Sequence, residues 1–520
     1  RETGTTRVTW EGRDRMDRMI LPGLVDAHVH IESSMLMPTR FAECAVRFGT
    51  VATVSDPHEI ANVLGLEGIR FLAEDAAEAC MGIHLTAPSC VPATSLESAG
   101  ARLEAGDLEV LFRNKEVVAL GEMMNYPGVI GGDTRVMEKI EMARRYGLPV
   151  DGHAPGLVGD DLEKYAAAGI QTDHECSTLE EGENKIATGM KVLIREGSSA
   201  RNFENLWPLV DRYPDDVMFC TDDFHPDDLV QGHIDRLIRR GLEKGLDFFN
   251  LYRAASLNAI RFYGLSEGRL QPGDRADFII ASSLNPFRVE ATYINGQCVF
   301  GDGQITVGHP EIRPVNRFNA RPVKPSEFEV RGENGKFHVI RVYDGELVTG
   351  AETADMTASG GVVNGDPGRD LLKIAVINRY HPAKPAVAWI TGFGLKRGAL
   401  ASSIAHDSHN IITVGAGDRE MAAAVNAIIE NRGGIATCID GITEILPLPV
   451  AGLISTETAE AAGARYAQLS QRAKDAGSTL KAPFMALSFM ALLVIPHLKI
   501  GDRGLFNCDT FEFTDIRADN

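Results

Sequence analysis

The segment Leu24–His30, LVDAHVH, decides the reading of this chain. It predicts a strand on which His28 and His30, two residues apart, point to one face. On the strand of a closed barrel that face is the interior, where two imidazoles can share one metal ion. Fourteen histidines in the chain produce roughly 0.4 such pairs by chance. Alone, the pair reads equally as two buried or turn histidines.

Outward from this segment, between Leu21 and Asp223, short β-branched runs alternate with amphipathic or alanine-rich stretches. That is the pattern of parallel strands joined by crossover helices. Eight strands are expected, ending near His30, Asp56, Cys90, Glu122, His153, His174, Glu196 and Asp222. Helices are expected over Pro38–Phe48, Gly65–Ala79, Thr134–Tyr146 and Asp160–Ala168, with a closing helix over Leu246–Tyr263. Eight such units make an α/β fold, a (β/α)8 barrel.

Beyond the barrel, GRLQPGDRADFII and ATYINGQCVF read as strands separated by turns. The expected organisation is therefore a remnant of a small β domain at 1–20, the barrel at 21–265, and the small sandwich-type β domain at 266–310. A linker rich in Pro, Arg and Asn follows at 311–325, then a C-terminal α+β domain at 326–520. That domain is expected to hold strands at Phe337–Tyr343 and Leu371–Ile377, and helices at Asp418–Asn431, Thr456–Ala476 and Pro483–Ile495. The chain opens on Arg1, and the missing half of the small β domain is expected to precede it.

Composition narrows the function. A formal charge of −20 disfavours nucleic-acid backbones and anionic membranes, both of which attract basic surfaces. The longest apolar run, around Phe484–Ile495, is too short to span a bilayer. Eight scattered cysteines form no CxxC pair, so a reducing cytoplasm is expected, with Cys90, Cys176 and Cys220 as packing residues.

Further metal-capable side chains fall at the other strand ends, where barrel active sites are built. Glu122 ends strand four, His153 strand five, His174 strand six and Asp222 strand eight. Singly, each has a plain alternative: a helix cap for Glu122 or Asp222, a turn residue for His153, a solvated loop residue for His174. Together with His28 and His30 they make a mixed N/O ligand set suited to Zn, Mn or Fe. Glu122 is expected to bridge two divalent ions around a hydroxide nucleophile, with Asp222 binding one ion and accepting the water proton.

The motifs carry a resemblance. LPGLVDAHVHIESS (21–34), VSDPHEIANVLG (54–65), APSCVP (87–92), GEMMNYPGV (121–129), DGHAPG (151–156), DHEC (173–176) and CTDDFHPDDL (220–229) resemble the amidohydrolase superfamily and, within it, the adenine deaminases. SIAHDSHNI (403–411) and LPLPVAGLIS (446–455) are similar to adenine deaminase segments of the C-terminal domain, so nearly the whole chain is covered. Where most of the superfamily carries a carboxylated lysine on strand four, Glu122 stands here, as in adenine deaminases. The short N-terminus departs from the family pattern, since related enzymes begin with strands that complete the small β domain.

The resemblance implies that adenine and water give hypoxanthine and ammonia in purine salvage, at two divalent ions, with Mn²⁺ placed ahead of Fe²⁺ or Zn²⁺. A small-molecule substrate and a homo-oligomer, a dimer first, are expected. Attack breaks ring aromaticity, so acids must protonate a ring nitrogen and the leaving amine. The candidates are Asp56, His58, Glu59, Glu175 and Glu196, while Ser89 and Ser198 are candidate partners of purine nitrogens. Met123 and Met124 are expected to be core residues that also wall the purine slot. His406, Asp407, His409 and Asn410 are expected to cover the pocket, bind another ion or form a hydrogen-bonded turn. Two other functions fit the same residues: hydrolysis of a different aminated heterocycle or cyclic amide, and an inactive barrel serving as a scaffold.

Overall fold

The computed structural model describes residues 18–198, 200–284, 286–306, 308 and 310–518, with the backbone of 2–3 and 6–7. The chain forms two compact units. One comprises residues 1–57, 70–90 and 104–311, and the other 58–69, 91–103 and 312–520.

The first unit is built on eight parallel strand positions: β1 (Leu24–His30), β2 (Thr50–Ser55), β3 (Gly82–Leu85), β4 (Leu120–Met123), β5 (Val150–Gly152), β6 (Thr172–Asp173), β7 (Lys191–Arg195) and β8 (Val217–Cys220, resumed at Asp222–Asp223). Parallel ladders join β1 to β2, β2 to β3, β4 to β5, β6 to β7, β7 to β8, and the end of β8 back to β1. A bridge between Ala87 and Leu120 links β3 to β4. The Gln171 N–H donates to the Val150 carbonyl at 2.9 Å and links β5 to β6. The ring closes as the eight-fold alternation requires.

Alternation along the strands sorts side chains into two cores. Val25, Ala27, Ala52, Val54, Ala119, Leu193, Met218 and Cys220 pack with one another and with Ala259, Ile260 and Tyr263, filling the interior. Leu24, Val192, Ile194, Val217 and Phe219 face outward onto Phe203, Leu206, Ile234, Leu237 and Leu251 of the helical layer. β1 departs from strict alternation. Asp26 pairs with Thr53 and Val29 with Ser55, which leaves one extra residue on β1 between them. This bulge turns Ala27 and His28 to the same side, so the strand's inner face passes from small apolar residues to imidazoles without a break in burial.

Most outer helices match their expected spans, as in Thr134–Arg145, whose N-cap Asp133 accepts from the Arg135 and Val136 N–H groups. The closing helix begins at Phe248 and passes through a wide turn at Arg253–Leu257 before ending at Phe262. The small antiparallel sheet runs in the order Gln304–Ile305, Gln297–Gly301, Phe287–Ile294, Phe278–Leu284, Met19–Pro22. Its strand starts only at Phe278, ten residues later than GRLQPGDRADFII suggests. There Asp274 accepts from the N–H groups of Arg269 and Gln271, and Asp277 from those of Gly268 and Asn295. These local bonds compete with a ladder and hold the stretch as turns.

The second unit carries an eight-stranded sheet in the order Gly350–Met356, Gly335–Arg341, Ala386–Thr391, Leu372–Ile377, Ile411–Gly415, Ala399–Ser402, Gly434–Ile439, Ile442–Pro447. Helix Asp418–Glu430 lays Met421, Val425 and Ile428 onto Ala375, Ala399 and Ala436 of that sheet. The helix expected over Pro483–Ile495 stops at Ser488, followed by a single 3₁₀ turn at Phe489–Ala491. The chain is already extended at Leu492, and Pro496 bars helical backbone only at Ile495, so the apolar run overstates the helix.

Candidate active site

His28 and His30 emerge from the inner face of β1 and are buried. The His30 Nδ1 lies 2.9 Å from the carbonyl oxygen of Asp56. A carbonyl only accepts, so Nδ1 carries the proton and Nε2 presents its lone pair inward. That Nε2 is 3.2 Å from His28 Nε2, 3.1 Å from Asp222 Oδ1 and 3.2 Å from Glu122 Oε1. Asp222 follows a break in β8 at Thr221, whose N–H donates to Asp26 Oδ1 at 3.1 Å and whose hydroxyl donates to Asp26 Oδ2. Its φ of 56° is left-handed, a region Asp tolerates better than most residues, and the kink turns its carboxylate into the ring.

The other oxygen of Glu122 faces a second set of donors. Oε2 lies 2.7 Å from His153 Nδ1, at the end of β5, and 3.2 Å from His174 Nε2, after β6. Glu175 Oε1 stands 3.4 Å from His174 Nε2 and 3.6 Å from His153 Nδ1. The carboxylate thus stands between two nests of donors, His28, His30 and Asp222 on one side and His153, His174 and Glu175 on the other, which meet where the rings of His28 and His174 stack with centroids 4.3 Å apart.

The donors are of the kinds that hold divalent metal ions. The imidazole nitrogens of His28 and His30 approach each other within hydrogen-bond distance, and the buried His174 Nε2 has no aligned hydrogen-bond partner. Burial pushes the His28 pKa down to about 4, helped by the nearby His174, so His28 is a neutral ligand near pH 7. Burial alone would raise the Glu122 and Asp222 carboxyls. The charge of His153 beside Glu122, and of Arg195 beside Asp222, overrides it and holds both well below the usual carboxylate range. Against burial, the neighbouring carboxylates raise the pKa of His30, His153 and His174, that of His153 to about 9, so a cation entering here displaces protons to reach the neutral imidazoles and ionised carboxylates that bind transition-metal ions.

The other expected site residues are placed as follows. Asp56 accepts from the Glu122 N–H at 2.9 Å, and burial, then the Glu122 charge, raises its pKa to about 7. Ser89 donates to the Glu122 carbonyl at 2.5 Å. Ser198 donates to Asp228 at 2.8 Å and accepts from the His225 N–H, a loop-bracing arrangement. Glu196 pairs with Arg240 on helix Asp235–Glu243 and faces the helical layer. The inward residue at that strand end is Arg195, absent from the expectations above. Period two reveals it: Leu193 packs inside and Ile194 outside, so Arg195 points in and Glu196 out. Cys90, Cys176 and Cys220 are buried free thiols, and burial raises the pKa of each, which disfavours the reactive thiolate. Met123 and Met124 are likewise buried.

His58 and Glu59 lie on helix His58–Leu64, which belongs to the second unit. There His58 Nε2 is 3.9 Å from Asp407 Oδ1, and His406 Nδ1 is 3.8 Å from Glu59 Oε1 and 3.7 Å from Asp407 Oδ1. His406 stacks on Phe489 with ring centroids 4.6 Å apart. Ser408 donates to Glu97 at 2.6 Å, and Asn410 donates to the Ser98 carbonyl at 2.9 Å. Burial, then the charge of His406, keeps the His409 pKa well below its ordinary value.

Residues 19–299 match the amidohydrolase family, and residues 346–512 match the adenine deaminase C-terminal domain. A protein named adenine deaminase from Methanosarcina barkeri is 51% identical over 513 residues, 97% of this chain and 93% of its own length. Another of that name from Salinibacter ruber is 50% identical over 505 residues, 97% of this chain and 92% of its own. Among solved structures, a beta-aspartyl dipeptidase of Fervidobacterium islandicum covers 56% of this chain and 86% of its own at 17% identity, with a TM-score of 0.43, too faint to carry an argument. Matched in both units and along nearly its whole length, the chain belongs to the adenine deaminases of the amidohydrolase family.

Proposed function

We propose that the chain hydrolyses adenine to hypoxanthine and ammonia with two divalent cations, one in each nest beside Glu122. The placement of the Glu122 oxygens carries this reading, Oε1 toward His30 and Oε2 toward His153 and His174. His28, His30 and Asp222 would hold one cation and His153 and His174 the other, with Glu122 offering one oxygen toward each. Mn²⁺ is the first choice and Fe²⁺ or Zn²⁺ the next, because the mixed imidazole and carboxylate set accepts all three. When bound, such a pair would supply an activated water as the nucleophile, while the electron pair displaced by its attack falls on a ring nitrogen, where it takes up a proton.

The chain's own groups handle the protons. Asp222 Oδ1, directed at the site, accepts the water proton. Asp56, with a pKa of about 7, is poised to deliver a proton to a ring nitrogen or to the departing amine near neutral pH. Glu175 is pinned by Arg195, which overrides burial and lowers its pKa, so its part is to hold charge. The eight free thiols suit the reducing cytoplasm in which free adenine is salvaged.

The test is ammonia release and loss of adenine absorbance by protein reconstituted with Mn²⁺, beside Glu122→Gln. Turnover that collapses in the variant supports both substrate and bridge. A wild-type protein carrying two cations without turnover sinks the adenine assignment.

A further inference from the structure

We propose that Arg195 is a positioning residue that decides which oxygen of Asp222 faces the reaction and couples the two nests through Asp222 and Glu175. Its guanidinium spans three successive strand ends. Nη1 donates to Asp222 Oδ2 and to Glu175 Oε1, both at 2.5 Å, and Nη2 donates to Glu175 Oε2 at 3.2 Å. Arg195 is 6% exposed, and both carboxylates are buried. The donors of Asp222 therefore separate by oxygen: Oδ2 is committed to Arg195, and Oδ1 remains 3.1 Å from His30 Nε2 and 3.5 Å from His28 Nε2.

The backbone behind the guanidinium is fixed as well. The Arg195 N–H donates to Asn202 Oδ1 at 2.7 Å, and the Asn202 N–H returns to the Arg195 carbonyl at 3.0 Å. The same Asn202 side chain donates to the carbonyls of His174 and Cys176, at 3.3 and 3.0 Å. Asn202 thereby ties Arg195 to the loop that carries His174 and Glu175. Two carboxylates brought this close repel in a site of low dielectric, and a planar fork between them is the arrangement a lysine ammonium cannot reproduce. Without Arg195, Asp222 is free to turn either oxygen, or both, toward the cation it binds.

This inference rests on the two-cation reading, so the experiment begins with a control: wild-type protein must bind two Mn²⁺ and turn over adenine. If it does not, the function proposed above fails, while the Mn²⁺ titration below still reads Arg195. The variants are Arg195→Met and Arg195→Lys, the second keeping the charge should the first fail to fold. Expected for Arg195→Met is a fall of about 10- to 100-fold in kcat, and a weakening of similar size for one of two cations in a Mn²⁺ titration of apoprotein. KM for adenine should move by less than about threefold, since the residue acts through Asp222 rather than on substrate. Arg195→Lys should recover no more than part of the loss. Guanidinium added to Arg195→Met should restore both kcat and cation affinity, which a merely structural role cannot produce. Unchanged kcat and cation affinity in either folded variant overturns the proposal. A loss confined to KM, or failure of guanidinium to restore a folded Arg195→Met protein, overturns it equally.

Discussion

The two nests flanking Glu122 use similar donors but are supported differently. The nest of His28, His30 and Asp222 is made by strand geometry. A bulge on β1 turns His28 inward, the Asp56 carbonyl sets the His30 tautomer, and Asp26 underpins the β8 kink through Thr221, with His233 Nε2 3.0 Å from its Oδ2. The nest of His153 and His174 stands on short strands, three residues in β5 and two in β6. A buried charge network supports it instead. Lys185 Nζ lies 2.9 Å from Asp173 Oδ1, 3.2 Å from Glu181 Oε1 and 2.7 Å from the Ala154 carbonyl, and Asp173 accepts from the N–H groups of Ala154 and Glu175. Backbone ladders resist local damage better than a few buried ions, which depend on every partner being present.

Glu122→Gln tests what the nests share, and it should have the largest effect. A neutral amide cannot bridge two cations, so kcat should fall by about 1000-fold and bound Mn²⁺ should drop below two per chain by atomic emission. Retention of two cations with near-normal turnover breaks the picture of a shared bridge.

Lys185→Met tests the charge support of the second nest alone. Removing a fully buried ammonium leaves Asp173 uncompensated, at a cost of about 3–5 kcal/mol, read by chemical denaturation. Cation loss in this variant should come from the second nest before the first. An unaltered denaturation midpoint would show that the ion network is dispensable.

Chelation separates the nests without mutation. The His153 side chain is 13% exposed against 2% for His28, so a chelator should strip the cations in two phases, the faster one tracing to the His153 side. Mn²⁺ loss followed in time, in wild type and in His153→Ala, checks this; a single phase in wild type contradicts the asymmetry.

The smallest effect concerns the footing of each nest. Asp151, two residues before His153, is raised to about pH 7 by burial, against the pull of hydroxyl bonds from Thr172 and Tyr263. A raised carboxyl favours folding while protonated. Its contribution is complete below the unfolded carboxylate pKa and is lost as pH rises through about 7. Wild-type stability should therefore fall by about 1–2 kcal/mol more than that of Asp151→Asn between pH 5 and 8. Parallel pH profiles of the two proteins would remove Asp151 from the account.

How much of this was readable in advance differs from element to element. Seven of the eight strand ends, and the placement of His28, His30, Glu122, His153, His174 and Asp222 at or just beyond them, follow from local pattern, because alternation and strand-end placement are properties of short segments; the third strand ends at Leu85, five residues before the expected Cys90. The placement of Arg195 inward and Glu196 outward was available from the same period of two, yet an acidic residue at a strand end drew the functional reading instead. The turns at 268–277 depended on side chains capturing backbone groups, a signal weaker than hydrophobic run length, and the apolar run to Ile495 gave no sign that the helix ends at Ser488.

What the sequence by itself determined is the barrel alternation, the family, and the chemical type of the site, since each is written in residue identity and spacing. Only the tertiary structure decided that the two oxygens of Glu122 face different histidine pairs, and that a bulge aims His28. It alone assigned His58 and Glu59 to the C-terminal unit and placed Arg195 between Asp222 and Glu175. Those facts depend on how residues tens or hundreds of positions apart meet, and a carboxylate's partners are set by the geometry of closure rather than by its neighbours in the chain.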